Sequence, residues 1–344
     1  MKMAEPENKK LHEEVKYEKS KTYLMKYLSS ISKANHTYKR VLISPLRYAG
    51  GKSKAIGLIL NNLPMLKEKK IVSPFIGGGS FELCASQVLD IEVIAYDVFG
   101  YLVNFWNVLL NRKNEFVHAL KQFKVNQNEF TYNRHVLLNH WNKIKPQTLM
   151  YKTKEQIELN DADKTLLDDN SVMQAVYYYY NMTLSYGPMF LGWPSSNEIN
   201  QKKFKKKIAR IEATFYKPNI HVEQADFKDV IKNHKYDFLF LDPPYFLGND
   251  STMFKGMYPN SNFAIHHNNF DHNELCLLLK EHKGGFFMTY NDCPTIRNMY
   301  SQYIHVFPEW QYTYGQGEKR IGKNRLDSYS NVKGSSEIFI ICPT

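Results

Sequence analysis

The chain is poor in the features that mark several common protein classes. Its four cysteines, Cys84, Cys276, Cys293 and Cys342, lie far apart with no C-x-x-C pair, which argues against a zinc site and against a disulfide framework. A reducing, cytoplasmic compartment is expected. No apolar run approaches the roughly 18 residues of a membrane span, and the Lys- and Glu-rich N-terminus lacks the order of a secretory signal, so no membrane partner is expected. Acidic residues are in deficit, 34 against 45 Lys and Arg, giving a formal charge of +11 that favours a polyanionic partner. Nucleic acid leads that class. Two nucleotide fingerprints are missing as well. Gly50-Gly51-Lys52-Ser53 ends like a phosphate-binding loop, yet G-x-x-x-x-G-K-[ST] requires glycine at position 46 and the chain has Leu46. Gly77-Gly78-Gly79 does not keep the G-x-G-x-x-G spacing of dinucleotide sites. His266-His267 with Asp271 and His272 has no matched spacing elsewhere, so a polar surface loop is expected there and no metal.

What is present centres on Leu241-Asp242-Pro243-Pro244-Tyr245-Phe246. The apolar run from Tyr236 to Leu241 reads as a buried strand that stops at a rigid turn. Two prolines remove two backbone donors, so the carbonyls after Leu241 have no ladder to continue and are free to face a cleft. A carboxylate, a stiff carbonyl and an aromatic ring within four residues suit the grip of a planar amine. Asp242 and the Pro243 carbonyl would take its two N–H bonds while Tyr245 stacks on its face. An ordinary turn after a strand is the plainer alternative.

Four further stretches precede it. Tyr48-Ala49-Gly50-Gly51-Lys52 runs into the helical pattern Ile56, Ile59, Leu60, Leu63, and glycines at a helix start expose N–H groups beside a lysine. Ile71 to Ser80 reads as strand, glycine loop and helix start, with Phe75 beside Gly77 and Gly79, where open α/β sheets bind ligands. The strand Ile91 to Tyr96 ends at Asp97, which could accept both hydroxyls of a ribose or could cap a helix. Asp226-Phe227 pairs an acceptor with a ring, a combination suited to an adenine moiety.

Tyr-Ala-Gly-Gly-Lys, Pro-Phe-Ile-Gly-Gly-Gly-Ser and Asp-Pro-Pro-Tyr, taken together and in this order, resemble the Dam-like, D12 class of DNA adenine-N6 methyltransferases over residues 45 to 97 and 220 to 342. The resemblance implies a doubly wound α/β methyltransferase core, a Rossmann-like sheet, with an inserted and mainly helical target-recognition domain. It implies S-adenosylmethionine as cofactor, bound by Tyr48, Gly50, Lys52, Phe75, Gly77, Gly79, Asp97, Asp226, Phe227 and Asp242. Catalysis would fall to Asp242, Pro243, Pro244 and Tyr245. The partner would be double-stranded DNA, with a cognate restriction endonuclease as a second one, and the target adenine would be flipped out of the stack. The choice between adenine N6 and cytosine N4 rests on the resemblance, an acidic first residue in Asp-Pro-Pro-Tyr with the cofactor motifs preceding it, since the geometry of Asp242, Pro243 and Tyr245 would accept either base. A non-enzymatic basic DNA-binding protein is the rival from another class.

This outline divides the chain into a polar arm (1–40), a first part of the core (41–115), the insertion (116–215) and a second part of the core (216–344). Within the insertion, Tyr177 to Tyr180 reads as helix core packing or as an aromatic surface. Lys202, Lys203, Lys205, Lys206, Lys207 and Arg210 form the densest basic cluster and are expected to face DNA phosphates. Lys319 and Arg320 lie in a glycine-punctuated loop that could also clamp DNA. The Asn-Gly-x-x-Arg element of enzymes that read GATC is absent, and Gly187 to Trp193 stands in its place, so no target sequence is inferred.

Overall fold

The computed structural model describes residues 43–144, 157–187, 189–214, 219–248, 270–308 and 337–343. The arm 1–40, His266-His267 and the loop bearing Lys319 and Arg320 lie outside the described residues. Seven strands form one sheet in the order β3-β2-β1-β4-β5-β7-β6. They are β1 (Lys70–Ser73), β2 (Glu92–Asp97), β3 (Ile220–Gln224), β4 (Leu239–Leu241), β5 (Phe286–Asn291), β6 (Ile304–Val306) and β7 (Glu337–Cys342). The first five are parallel along the sheet, and β7 runs antiparallel to both neighbours. Strand order reverses between β1 and β4, and at such a switch point an open sheet leaves a crevice beyond the carboxyl ends of its strands.

Alternation along the strands gives the sheet two apolar faces. Val93, Ala95, Phe240 and Phe287 pack into one core, and Val72, Leu239, Leu241, Met288 and Ile340 into the other. The second face is covered by α9 (Phe227–Asn233), α10 (His272–Glu281) and α11 (Pro294–Met299). The first meets α1 (Ile56–Asn62) and α2 (Ser80–Gln87), where Phe81 stacks on Phe240 with ring centroids 3.7 Å apart. Strand β4 begins at Leu239, because Tyr236 and Asp237 complete the turn after α9, with Asp237 N donating to His234 O at 3.1 Å.

Between β2 and β3 the described chain is helical: α3 (Gly100–Asn111), α4 (Lys113–Lys121), α5 (Gln127–Ile144), α6 (Asp161–Thr165), α7 (Ser171–Leu184) and α8 (Gln201–Ala213). Helix α7 is buried on every side through its second half, as expected of a helix apolar all round. Tyr177 to Tyr180 are core residues, and Tyr179 stacks on Phe105 of α3 with an interplanar angle of 5°. These helices and the sheet's first face share one apolar core.

Candidate active site

The Asp-Pro-Pro-Tyr turn leaves the carboxyl end of β4, and a buried lysine meets it there. Lys52 Nζ lies 2.8 and 2.9 Å from the two oxygens of Asp242 and donates also to Gly50 O at 2.7 Å. The ammonium is 4% exposed and Asp242 24% exposed, so the carboxylate faces the cleft while the cation sits behind it. From β5, Thr289 Oγ1 donates to Asp242 Oδ1 at 2.7 Å. Asp242 is therefore held by two side chains and keeps lone pairs toward the opening. Since Pro243 and Pro244 carry no N–H, the turn is fixed from outside: Phe246 N donates to Asn291 Oδ1 at 2.8 Å, and Asn291 Nδ2 donates to Phe246 O at 2.9 Å. Tyr245 is buried, its ring stacked on Tyr290 at 5.8 Å, with Lys52 Nζ 4.8 Å from its centroid.

The glycine loop after β1 folds against aromatic rings. Gly77 and Gly79 take φ of 45° and 61°, values that suit glycine. A Cβ at Gly79 would stand 2.5 Å from the Trp106 ring, and one at Gly78 2.9 Å from Tyr48 Cβ. The glycines thus allow the loop to approach Tyr48 and Trp106 as well as any ligand. Asp97, at the end of β2, accepts from Phe99 N at 3.0 Å and Gly77 N at 3.3 Å. Phe75, Phe227 and Phe270 form a wall with centroid separations of 5.0 to 5.7 Å. Asp226 accepts from Lys228 N at 2.9 Å and so caps α9.

All of these meet in one cleft of about 1000 Å³. Tyr48, Gly50, Lys52, Phe75, Gly77, Gly79, Asp97, Asp226 and Phe227 line it together with Asp242, Pro243, Pro244 and Tyr245. The volume is at the upper end of the roughly 300–1,000 Å³ of small-molecule sites, room for a cofactor and a nucleobase together. Three residues that were not named as site residues support it: Thr289 and Asn291, which hold the turn from β5, and Glu82, which lines the cleft and accepts from Ser73 Oγ at 2.6 Å. Thr289 and Asn291 reach it because β5 pairs with β4, and Glu82 because α2 starts at the glycine loop.

Burial raises three carboxyls here. Glu82 and Glu337 are pushed up to about 8, and Asp97 to about 6 against the pull of its backbone N–H donors. Each folded value exceeds the unfolded one of roughly 4, so the stability they give is complete below about pH 4. It is lost as pH rises through about 6 for Asp97 and about 8 for the glutamates. The melting temperature should therefore fall between about pH 5 and 8.5, and combining Glu82→Gln with Glu337→Gln should flatten the upper part of that slope. Calorimetric scans across the range decide it; an unchanged slope in the double variant would place the titration elsewhere.

The basic cluster lies on α8. Phe204, Ile208 and Ile211 turn into the core, while Lys202, Lys203, Lys205, Lys206 and Arg210 are exposed. Lys207 is partly buried and pairs with Glu198 at 2.9 Å. Just before α8, Ser185 and Pro194 pair as the base of a hairpin-like loop on which Tyr186 and Trp193 are 60% and 56% exposed. Arg47, beside Tyr48, donates to Thr183 O at 2.8 Å and so ties the Ala-Gly-Gly-Lys loop to the foot of that hairpin. Asp271 caps α10, accepting from Glu274 N at 2.9 Å, and His272 packs on Phe246 and Phe270. Among the described residues no group of His, Cys, Asp and Glu is arranged to hold a metal, all four cysteines are free thiols, and no helix is long and apolar enough to cross a membrane.

A parallel sheet closed by one reversed strand, with its cleft between the loops after β1, β2 and β4, is the fold of a methyltransferase. Residues 48–314 match the D12 class of N6 adenine-specific DNA methyltransferases, and the chain belongs to that family. It is thus an enzyme that methylates adenine in DNA, which decides between adenine N6 and cytosine N4 and sets aside the non-enzymatic rival. No curated protein matches the chain.

Proposed function

We propose that the chain transfers the methyl group of S-adenosylmethionine to N6 of an adenine flipped out of double-stranded DNA. The observation that carries this reading is the union of the cofactor-type loops and the Asp242 turn in a single cleft. The residues fit the cofactor. Asp97 is a carboxylate sunk at a strand end with acceptor capacity left for two hydroxyls, the three-phenylalanine wall offers a face to an adenine ring, and the first turn of α2 opens on the cleft beside Gly79 for a carboxylate. When bound, the cofactor supplies an electrophilic methyl group on a positively charged sulfur.

The chain's own part is to make a poor nucleophile react. The amine lone pair of adenine is delocalised into its ring, and Asp242 with the Pro243 carbonyl would draw its two hydrogens and localise that pair on nitrogen. The proton that the amine must lose on methylation would pass to Asp242, whose carboxylate faces the cleft. Taking the base from the stack costs a few kcal/mol, and stacking on an aromatic face, about 1–3 kcal/mol per base, offsets much of it. Tyr245 is assigned that face. A companion restriction endonuclease would read the same site on unmethylated DNA.

Incubation with labelled cofactor and duplex DNA, digestion to nucleosides and mass spectrometry tests the reading. The label should appear on N6-methyldeoxyadenosine; no transfer, with no calorimetric binding of S-adenosylmethionine, would overturn it. The α8 face is assigned to phosphates, and each phosphate contact contributes about 0.9 to the slope of log affinity against log salt. Replacing Lys202, Lys205 and Lys206 by Gln should lower that slope by about 1 to 3 while leaving cofactor affinity unchanged. An identical slope would return the face to solvent.

A further inference from the structure

Behind the Asp-Pro-Pro-Tyr turn is a buried carboxyl that the transfer step, as described, does not use. Glu337, the first residue of β7, is 3% exposed and lies opposite Asn291 of β5, the residue that clasps the turn at Phe246. Both its carboxyl oxygens and the buried hydroxyl of Tyr245 make no hydrogen bond among the described residues. Each group acts on the other as a side-chain hydrogen-bond neighbour, and Thr289 acts on the same hydroxyl, but none of these contacts has closed to a well-aligned hydrogen bond. Buried polar groups are nearly always satisfied, so two unsatisfied ones facing each other beside a reacting centre call for an explanation.

We propose that Glu337 is a positioning residue for methyl transfer, engaging the Tyr245 hydroxyl from behind the pocket and so fixing the ring face against which the reacting base is held. This rests on the reading of Tyr245 given above. A protonated carboxyl has both a donor and an acceptor to offer the phenol, whereas the ionised form has acceptors only. The charged groups that bear on Glu337 are Lys52, from the loop before α1, and Asp242, from the turn after β4; Lys52 and Asp242 bear equally on Glu82 of α2. One cation thus serves three carboxyls. With Glu82 and Glu337 neutral, Lys52 belongs to Asp242, as its 2.8 Å contact shows. An ionised Glu337 would compete for Lys52 and add a second negative charge beside the turn, loosening both Tyr245 and Asp242.

Single-turnover methyl transfer by the full chain, followed from about pH 6 to 9 with duplex DNA and saturating S-adenosylmethionine, tests this. The wild-type rate should fall about tenfold in the unit above the pH near 8 at which Glu337 ionises. Glu337→Ala should lower the rate about tenfold at pH 7, and Glu337→Gln, which keeps a donor and an acceptor but cannot ionise, should restore most of it and remove the falling limb. Glu82→Gln should keep the limb. A 2-aminopurine at the target position should report weaker retention of the flipped base in Glu337→Ala than in Glu337→Gln. If the wild-type rate is flat across this range, or if Glu82→Gln removes the limb and Glu337→Gln keeps it, the assignment is overturned. The wild-type profile needs no variant to fold. Absence of any transfer at pH 7 would overturn the functional reading itself, which a flat profile with full transfer would not.

Discussion

Asp242→Ala is expected to lower the single-turnover rate of methyl transfer about a thousandfold while leaving DNA affinity within about twofold. The carboxylate faces the cleft and is braced by Lys52 and Thr289, so its free lone pairs are directed before the substrate arrives. Preorganised acceptors of this kind cost no reorientation during the reaction, which is why removing one costs rate more than binding. Phosphate contacts should be unaffected, because the cations proposed to make them are exposed on α8, away from this turn. Asp242→Asn should lose nearly as much, since an amide is a weaker acceptor and brings an N–H₂ group against the amine it should grip. Rapid-quench measurement with saturating cofactor and DNA separates the chemical step from release. A loss below about tenfold in both variants would mean that the nitrogen is activated by something other than this carboxylate.

The elements that carry this chemistry were legible to different degrees. β1, β2, β4, β5 and β7 are apolar runs broken by glycine or proline, and β1, β2 and β4 end at Ser73, Asp97 and Leu241, where the chain enters the loops that line the cleft. The run Tyr236 to Leu241 reads longer than the strand it forms, because Tyr236 is 78% exposed and belongs to the preceding turn. Strand β6, Ile304–Val306, has three residues, one of them exposed, and gives no alternation to read. Tyr177 to Tyr180 read more readily as helix core packing than as a surface, and they are buried among α3, α4 and α5, although four adjacent tyrosines have no helical periodicity to say which elements surround them. The pairing of Lys52 with Asp242 spans 190 residues, and nothing local to either motif announces it. Family resemblance assigned Lys52 to the cofactor on the strength of its loop alone.

Lys52→Met distinguishes those two roles and carries the second large effect. If the lysine holds Asp242, its loss leaves a partly buried carboxylate with Thr289 as its remaining side-chain donor, and the rate should fall about a hundredfold with cofactor affinity within about threefold of wild type. Breaking a fully buried pair costs roughly 3–5 kcal/mol; with Asp242 24% exposed, a destabilisation of about 2 kcal/mol is expected by urea titration. Lys52→Arg should not rescue the rate. The ammonium fits between Gly50 O and Asp242 at 2.7 and 2.8 Å, and a planar guanidinium is larger and directs its donors differently. The decisive comparison is the double variant. Residues that act as one unit lose their effect together, so Lys52→Met combined with Asp242→Ala should be no slower than Asp242→Ala alone by more than about threefold. Multiplicative losses, accompanied by a tenfold or greater drop in calorimetric affinity for S-adenosylmethionine in Lys52→Met, would instead assign the lysine to the cofactor and leave Asp242 to be oriented by Thr289 from β5.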